Sequence, residues 1–332
     1  MPSDAPQRRV RITDVSPRDG LQNEPRRVPT ADKLRLIERL SECGLDEIEV
    51  ASFVSPEWVP QLGDADELLD RLGDFADGVR MVAGNSPRGL ATGDRAPDLP
   101  AYSALVPNRK GYERALAVRE RTGLPAKLAF FTAASETFSK KNTNASIAES
   151  LERFAAWGPE ALAENIAVRA YVSCAVACPD EGPVAPAAVR SVVDQLLDLA
   201  GPHADRLEID LADTIGVATP DDVAALLDAM DDALVPELTL HLHDTSGRAA
   251  ACVTTALGLG VRSFDGSVAG LGGCPFATRT SGRPAPGNIS TAALVRAVVD
   301  AGYPCSVDPD LLADAADLAR RILDDADPID PT

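Results

Sequence analysis

Strand-like and helix-like segments alternate along most of this 332-residue chain, and that alternation restricts its fold more than any other feature. Eight segments have the length and apolar character of strands: VRITDVS (10–16), DEIEVASF (46–53), AYSALVP (101–107), AKLAFFTA (126–133), IAVRAYVSC (166–174), RLEIDLAD (206–213), LTLHLHD (238–244) and RSFDGSVAG (262–270). Amphipathic helical patterns separate them, for example at 31–44, 146–157, 220–230 and 290–302. Repeated strand–helix units imply parallel strands with right-handed crossovers, so eight of them predict an α/β fold, the (β/α)8 or TIM barrel.

The barrel prediction sets the domain organisation. We predict one catalytic domain at 1–307 and a helical C-terminal extension at 308–332 that packs on the barrel. The segment VRMVAG (79–84) has the character of a ninth strand, but the residues around it are rich in Gly, Pro and Asp. We therefore interpret about 74–100 as an insertion before the third strand, on the N-terminal face of the barrel and away from the chemistry.

Charge and cysteine content exclude several classes of protein. The net charge of −19 repels phosphate backbones and anionic membranes, which argues against nucleic-acid and membrane binding. No segment has the uninterrupted apolar length of a membrane span, and the N-terminus lacks the apolar core of a signal peptide. The six cysteines are scattered and do not resemble a disulfide framework, so we expect reduced thiols and a cytoplasmic protein.

The histidines give the clearest indication of function. The chain has three, and His241 and His243 lie two apart in LTLHLHDTSGR (238–248). Strand periodicity sends both imidazoles to one face, at the strand end where barrels place their sites. Asp19 follows the first strand at the same end, and this ligand set suits Mn²⁺, Mg²⁺, Fe²⁺ or Co²⁺ with open coordination positions. Zn²⁺ is an alternative, particularly if Cys274 were a ligand, and two ordinary histidines are another.

Other strand ends carry groups suited to acid–base and electrostatic work. Arg18 is a fixed positive donor that suits a developing enolate or a carboxylate oxygen, although Arg–Asp surface pairs are common. Glu49 lies inside a strand between apolar neighbours, and either pairing with Arg18 or acid–base work would explain a carboxylate there. Cys274 lies in a Gly-rich loop at 270–288 and would transfer a proton on loop closure; an incidental thiol is the alternative.

Several motifs together resemble the hydroxymethylglutaryl-CoA lyase family, within the metal-dependent TIM-barrel lyases and Claisen-type synthases. The matching motifs are SPRDGLQNE (16–24), ASFVSPEWVPQLGD (51–64), VPNRKGYE (106–113), AASETFSKKNTNASIAES (133–150), VRAYVSCAVACPDEG (168–182), DTIGVATP (213–220), HLHDTSGRA (241–249) and SVAGLGGCPFA (267–277). They extend from about residue 10 to 300, and the last is the cysteine-loop signature of the family.

The resemblance implies a retro-Claisen cleavage of 3-hydroxy-3-methylglutaryl-CoA to acetyl-CoA and acetoacetate, with a divalent cation, Mg²⁺ or Mn²⁺. Arg18 would stabilise the enolate, Glu49 would act as an acid–base or orienting carboxylate, and Cys274 would protonate the nascent carbanion. His241 would have a catalytic role besides binding metal. The group that deprotonates the substrate hydroxyl stays open between Glu49, a histidine and metal-bound water.

The metal ligands implied by the resemblance are Asp19, His241, His243 and an asparagine after the signature cysteine. The family has that asparagine nine residues after the cysteine, where this chain has Arg283. We assign the ligand to Asn288, which makes the loop about five residues longer and adds Arg279 and Arg283. We hypothesise that these two arginines meet a phosphate or a carboxylate of an altered acyl-CoA.

The resemblance also predicts partners. Lys141, Asn142 and Ser146 match the region of the family that contacts the CoA end of the substrate, with plain helix capping as their alternative. A homodimer is expected. The runner-up function is a Claisen-type synthase that condenses acetyl-CoA with a 2-oxo acid, but such enzymes lack the GLGGCP loop. A non-catalytic acyl-CoA-binding protein would require a broken ligand set, which this chain does not have.

Overall fold

The computed structural model describes residues 8–84, 99–272 and 287–328, and its centre is a closed barrel of eight parallel strands. The barrel strands are β1 Arg11–Asp14, β2 Glu47–Ser52, β3 Ala101–Leu105, β4 Lys127–Ala133, β5 Ala167–Ser173, β6 Leu207–Asp213, β7 Thr239–Leu242 and β8 Ser263–Gly266. Their order around the barrel is the order of the chain, and β8 pairs with β1 to close it. The predicted TIM barrel is therefore confirmed.

Helices surround the barrel in the connections between strands. They are α1 Thr30–Ser41, α2 Ala65–Gly84, α3 Arg109–Thr122, α4 Glu136–Thr143, α5 Ile147–Ala155, α6 Gly158–Ala163, α7 Pro186–Ala200, α8 Pro220–Asp228, α9 Ala249–Gly258, α10 Thr291–Asp300 and α11 Pro309–Asp325. Two short antiparallel pairs join Arg26–Arg27 to Asp327–Pro328 and Ala177–Cys178 to Gly182–Pro183. The C-terminal helix α11 packs against α1 and α10, on the outside of the barrel.

Two local expectations from the sequence are wrong. Residues 74–84, interpreted from the sequence as the start of an insertion, belong to a barrel helix, because α2 continues to Gly84; the strand alternative for 79–84 is excluded by the same helix. Residues 85–98 lie outside the described part of the chain. The eighth predicted strand, 262–270, is shorter than expected, because Val268–Gly270 form a 3-10 turn with Ala269 at a φ of 58°.

The main apolar core lies between the barrel and its helices. Strand side chains alternate between two faces, so in β5 Val168, Ala170 and Val172 join the outer core. Arg169 and Tyr171 lie on the other face, inside the barrel, where they are hydrogen-bonded to polar groups from other strands. A barrel interior this polar needs an internal partner for every charge, since burying an unpaired charge is costly.

The guanidinium of Arg169 is almost fully buried inside the barrel, where it pairs with several carboxylates. It lies 2.7 Å from Glu208, 3.1 Å from Asp265 and 3.3 Å from Glu47. Lys127 also pairs with Glu208, at 2.7 Å, and with Glu47. Four carboxyl groups, including Asp210, thus share two cations. Burial and the neighbouring Asp265 raise the pKa of Asp210 well above its ordinary value, so the fold favours the protonated form of this carboxyl group.

We expect Asp210→Asn to keep the free energy of unfolding at pH 7 within about 1 kcal/mol of the wild type, because an amide can replace a protonated carboxyl group. A carboxyl whose folded-state pKa is raised favours folding below its unfolded-state pKa, near 4, and that contribution is lost as pH rises toward the folded-state pKa. The variant should therefore gain stability relative to the wild type as the pH rises above about 4, the unfolded-state pKa of a carboxyl group. Urea unfolding across this range checks the prediction; a large loss at pH 7 would show that Asp210 is ionised.

Candidate active site

Three potential metal ligands meet at the C-terminal mouth of the barrel. One ligand atom each from Asp19, His241 and His243 lies within 4.8 Å of the others. His241 is in β7 and His243 directly follows it, so strand alternation places both rings on the same face. Asp19 comes from a short π-helical turn, Ser16–Gly20, which follows β1. The structure thus brings together the carboxylate and the two imidazoles that the sequence predicted.

Hydrogen bonds at Nδ1 orient the two imidazoles. His243 Nδ1 lies 2.9 Å from the carbonyl oxygen of Asp213, to which it can only donate. His241 Nδ1 lies 3.3 Å from Asp265 Oδ2. With Nδ1 engaged in this way, Nε2 of each ring is the nitrogen left for a metal ion, as in most histidine sites.

The pKa shifts within the cluster keep Asp19 and His243 in the protonation states that can bind a cation. Burial raises the pKa of Asp19, but the charges of Arg18 and His241 outweigh it and lower that pKa to about 2. Burial and the neighbouring His241 lower the pKa of His243 to about 4. Burial lowers the pKa of His241, and the bond to Asp265 outweighs this, so the net shift is upward. At neutral pH Asp19 is a carboxylate and His243 a neutral imidazole, the ligand forms for a divalent ion.

Asn288 completes the cluster from the far side of the cysteine loop. Its Nδ2 donates to Asp19 Oδ2 at 2.8 Å and to the carbonyl of Leu271 at 3.0 Å. Its Oδ1 is buried and has no hydrogen-bond partner among the described residues. A buried acceptor left without a donor costs roughly 1–3 kcal/mol. A cation bound by the three other ligands would satisfy this oxygen, so the donor set fits a divalent metal with Asn288 as its fourth ligand.

Arg18 and Glu49 form a buried ion pair beside the cluster. Arg18 Nε lies 2.6 Å from Glu49 Oε1, and Arg18 Nη1 lies 2.8 Å from Asp19 Oδ1. Tyr171 donates its hydroxyl to Glu49 Oε2 at 2.5 Å. Glu49 is fully buried and does not line the cavity, whereas Arg18 does. Of the two roles that the sequence left open for Glu49, the geometry therefore favours orienting Arg18 over acid–base work on a substrate.

A cavity of about 640 Å³ opens beside these residues, over the ends of several strands. One wall holds Arg18, Asp19, His241 and His243, and Phe130, Phe131 and Phe138 form an aromatic wall. Polar side chains from the end of α4, the turn after it and α5 line another part: Asn142, Thr143, Asn144 and Arg153. Trp58 lies at the rim with 74% of its side chain exposed. The cavity is thus large enough for an elongated ligand with one polar end at the cluster.

The residues predicted to contact CoA have different positions. Asn142 lines the cavity. Lys141 is half exposed and pairs with Asp180, and it is not among the lining residues. Ser146 caps α5, with its Oγ accepting from the Glu149 amide and Glu149 bonded back to the Ser146 amide. Helix capping, the alternative considered for Ser146, thus describes its contacts. Cys274, Arg279 and Arg283 lie outside the described residues.

Sequence reasoning missed the groups that hold the site residues in place through hydrogen bonds. Asp265 bonds to His241, and Tyr171 bonds to Glu49 and lines the cavity. The available signal was their position, since both are polar residues in strands and alternate with apolar ones. Arg153 was missed for a different reason: it belongs to an amphipathic helix, where an arginine is ordinarily a surface residue.

Known proteins are similar to this chain over nearly its whole length. The family model described as HMGL-like matches residues 9–319. The mitochondrial hydroxymethylglutaryl-CoA lyases of Pongo abelii and Homo sapiens are 42% and 41% identical over 317 residues, which cover 95% of this chain and 86% of each relative. A crystal structure of the HMG-CoA lyase from Brucella melitensis matches with a TM-score of 0.79 and 44% identity, covering 96% of this chain and 99% of that one.

A second similar structure was solved with ligands bound. An HMG-CoA lyase from Acinetobacter baumannii, in complex with coenzyme A and 3-methylmalate, matches with a TM-score of 0.76 and 31% identity, over 98% of this chain and 95% of that chain. Among the described residues of the present chain, no helix is both long and apolar enough to span a membrane.

Proposed function

The chain belongs to the HMGL-like family, and from this premise we propose that it is a hydroxymethylglutaryl-CoA lyase, which cleaves 3-hydroxy-3-methylglutaryl-CoA to acetyl-CoA and acetoacetate. The observation that carries the proposal is the cluster of Asp19, His241 and His243 beside the unsatisfied Oδ1 of Asn288. It lies at the wall of a cavity in a chain that is about two-fifths identical to named lyases along 95% of its length.

A divalent cation, Mg²⁺ or Mn²⁺, would be held by Asp19, His241, His243 and Asn288. Carboxylate and amide oxygens with two imidazoles suit such an ion and leave positions for a substrate. When bound, the ion would polarise the oxygens of the substrate as a Lewis acid. The geometry of the four side chains supports this set, since Asn288 has turned its amide nitrogen to Asp19 and left its oxygen without a donor.

The reaction requires removal of a proton from a tertiary alcohol and cleavage of the bond between C2 and C3. The electron pair of that bond becomes the enolate of acetyl-CoA, and a proton then converts the enolate to the thioester. Arg18 supplies a permanent positive charge at the cavity wall for the enolate oxygen, and the bidentate pair with Glu49 holds it in place. Of the side chains considered as the base, Glu49 does not line the cavity, and His241 in the proposed ligand set has Nδ1 bonded to Asp265 and Nε2 left for the ion. Cys274 remains the proposed proton donor to the carbanion.

We expect purified protein to release acetoacetate from 3-hydroxy-3-methylglutaryl-CoA only when Mg²⁺ or Mn²⁺ is present. EDTA should lower the rate by roughly a hundredfold or more, the size of effect expected when the main electrostatic stabiliser is removed, and added metal should restore it. A coupled assay for acetoacetate measures this, with circular dichroism to show that EDTA leaves the fold intact. Cleavage that is unaffected by chelation would contradict the metal assignment, and a folded, metal-loaded protein inactive on this substrate would contradict the substrate.

The homodimer and the cytoplasmic location expected from the sequence are part of the same proposal. Static light scattering during size-exclusion chromatography tests the first, and a mass corresponding to twice the 34.8 kDa chain is the expected result. Subcellular fractionation in the source cell tests the second.

A further inference from the structure

Residues 21–28 connect the π-helical turn after β1 to α1 and form part of the cavity mouth, and we call them the mouth segment. Gln22 and Asn23 of this segment line the cavity. Its short strand Arg26–Arg27 pairs with Asp327–Pro328, at the end of the described chain. The position of the mouth segment therefore depends in part on the C-terminal region.

Arg26 joins the mouth segment to the end of α11. Its Nη1 donates to the carbonyl oxygens of Leu323 and Asp324, at 2.6 Å and 3.0 Å. The last four carbonyls of a helix have no partner within the helix, and a cation at that end also meets the negative end of the helix dipole. The last turn of α11 holds the carboxylates of Asp324 and Asp325 and no basic residue of its own. Arg26 thus supplies the cation that this helix end lacks.

The same helix also packs against the other side of the proposed metal site. Besides α1 and α10, α11 contacts the 3-10 turn Val268–Gly270. This turn leads to Leu271, whose carbonyl accepts from Asn288 Nδ2 at 3.0 Å, and to Gly272. A Cβ at Gly272 would lie 2.9 Å from Asn288 Nδ2 and 3.1 Å from the carbonyl oxygen of Asp19, so this backbone lies directly against both ligand residues. The helix is therefore in contact with the chain next to Asp19 and with the chain next to Asn288.

We propose that α11 braces the metal site and that Arg26 is the positioning residue through which it holds the mouth segment. The buried face of α11 is apolar and fixes the helix to the rest of the protein: Leu312, Ala315, Ala319 and Ile322. Arg26 attaches the mouth segment to this fixed helix, and packing on Val268–Gly270 attaches the chain that contacts Asn288. Ligands from opposite ends of the sequence, Asp19 and Asn288, are thereby held at the separation that one ion requires. This inference rests on the proposed function, since it takes these two residues to bind a metal ion.

A second attachment makes it possible to loosen the mouth segment without unfolding the chain. Gln61 Nε2 donates to the carbonyl oxygen of Arg26 at 3.0 Å, and Gln61 Oε1 accepts from the Val28 amide at 3.2 Å. Gln61 is buried and comes from the 3-10 turn before α2. These bonds use backbone groups of the mouth segment, so they remain when the side chain of Arg26 is replaced. A substitution of Arg26 should therefore loosen the segment locally and leave the barrel folded.

The test is Arg26→Met, which keeps an apolar stem and removes both hydrogen bonds to α11. Hydrogen exchange of the metal-free protein should become roughly tenfold faster in the mouth segment, because a charge-assisted contact no longer opposes local opening. Mn²⁺ affinity, followed by electron paramagnetic resonance, should fall about threefold to tenfold, less than for a group bonded directly to a metal ligand. At saturating Mn²⁺, the KM for 3-hydroxy-3-methylglutaryl-CoA should rise more than kcat falls, since Gln22 and Asn23 line the cavity. Arg26→Lys, whose ammonium can still donate to a carbonyl, should recover part of each effect.

The matched control is Arg320→Met. Arg320 lies on the exposed face of α11 and pairs with Asp317, one turn before it. This substitution removes a positive charge from α11 itself without touching the mouth segment, so exchange, Mn²⁺ affinity and KM should match those of the wild type. Equal effects of the two substitutions would overturn the inference, as would unchanged exchange and Mn²⁺ affinity in Arg26→Met. Faster exchange throughout the chain of Arg26→Met, with a lower melting temperature, would indicate a purely structural role and would also overturn it.

Exchange and metal binding separate this inference from the reaction proposed above. If Arg26→Met loosens the mouth segment and weakens Mn²⁺ binding but the wild type cleaves no 3-hydroxy-3-methylglutaryl-CoA, the brace stands and the proposed reaction fails. If the wild type cleaves this substrate and Arg26→Met keeps wild-type exchange and Mn²⁺ affinity, the reaction stands and the brace fails.

Discussion

His243→Ala is expected to abolish metal-dependent cleavage while leaving the barrel folded. The change removes one of the three side chains that meet within 4.8 Å, and the remaining Asp19 and His241 hold a divalent ion poorly. We expect kcat/KM to fall by roughly a hundredfold to a thousandfold or more, as when a principal electrostatic stabiliser is lost. Mn²⁺ binding followed by electron paramagnetic resonance should weaken in parallel, which separates a lost ligand from a general loss of structure.

The third histidine provides the control for this experiment. His203 lies in a 3-10 turn before β6, outside the cavity wall, so His203→Ala should retain both activity and Mn²⁺ affinity. Normal Mn²⁺ binding by His243→Ala would remove His243 from the ligand set. If a high metal concentration restores the activity of His243→Ala, the substitution has weakened only the affinity for the metal ion, as expected for a ligand.

Arg169→Met is expected to give the largest loss of stability of any single substitution discussed here. The guanidinium is 1% exposed, and its removal leaves the carboxylates of Glu47, Glu208 and Asp265 inside the barrel with Lys127 as their remaining cation. Removing one partner from a buried ionic group typically costs about 3–5 kcal/mol, because the other charge stays buried without compensation. Denaturant unfolding of the two proteins at pH 7 measures the difference in the free energy of unfolding.

Arg190→Met is the matched control, since Arg190 also pairs with two carboxylates, Asp194 and Asp231. Those carboxylates are largely exposed, so the loss should be about 1 kcal/mol or less. Similar losses in the two variants would contradict the assignment of Arg169 as the central charge of the barrel.

The cost of Arg169→Met should also depend on pH. Burial raises the pKa of Glu208, but Arg169 and Lys127 outweigh it and hold that pKa below its ordinary value. A depressed carboxyl pKa contributes stability above the unfolded-state pKa, near 4, and the contribution is lost as pH falls. The difference between wild type and variant should therefore be larger at pH 7 than at pH 4. A cost that is independent of pH would point to lost packing and not to lost charge compensation.

Local patterns were sufficient to predict the barrel and part of its site. Alternation in LTLHLHD predicted that His241 and His243 share a face, and the strand end after β1 predicted the place of Asp19. The error at 74–84 has a local cause as well. The Gly, Pro and Asp residues around VRMVAG suggested an insertion, but residues 74–84 continue α2 and form its last turns.

The interior of the barrel was much less accessible to sequence reasoning. Arg169, Glu208 and Asp265 come from three strands, and each is unremarkable as a polar residue within its own segment. Only closure of the barrel brings the carboxylates of Glu208 and Asp265 to 2.7 Å and 3.1 Å from the guanidinium of Arg169. The same holds for the choice between roles at Glu49, because its fully buried position behind Arg18 depends on how β2 packs beside the turn after β1.

By itself, the sequence determined the eight strand–helix units, the face shared by two histidines and the motifs of the HMGL-like family. These properties depend on periods of two and 3.6 residues and on short spacings. Both can be read directly from the order of residues in the sequence. The tertiary structure alone decided that Asn288 leaves an unsatisfied oxygen at the cluster, that burial raises the pKa of Asp210, and that Arg153 faces the cavity while Lys141 does not. These properties depend on distances and burial between residues far apart in sequence, and folding sets them together.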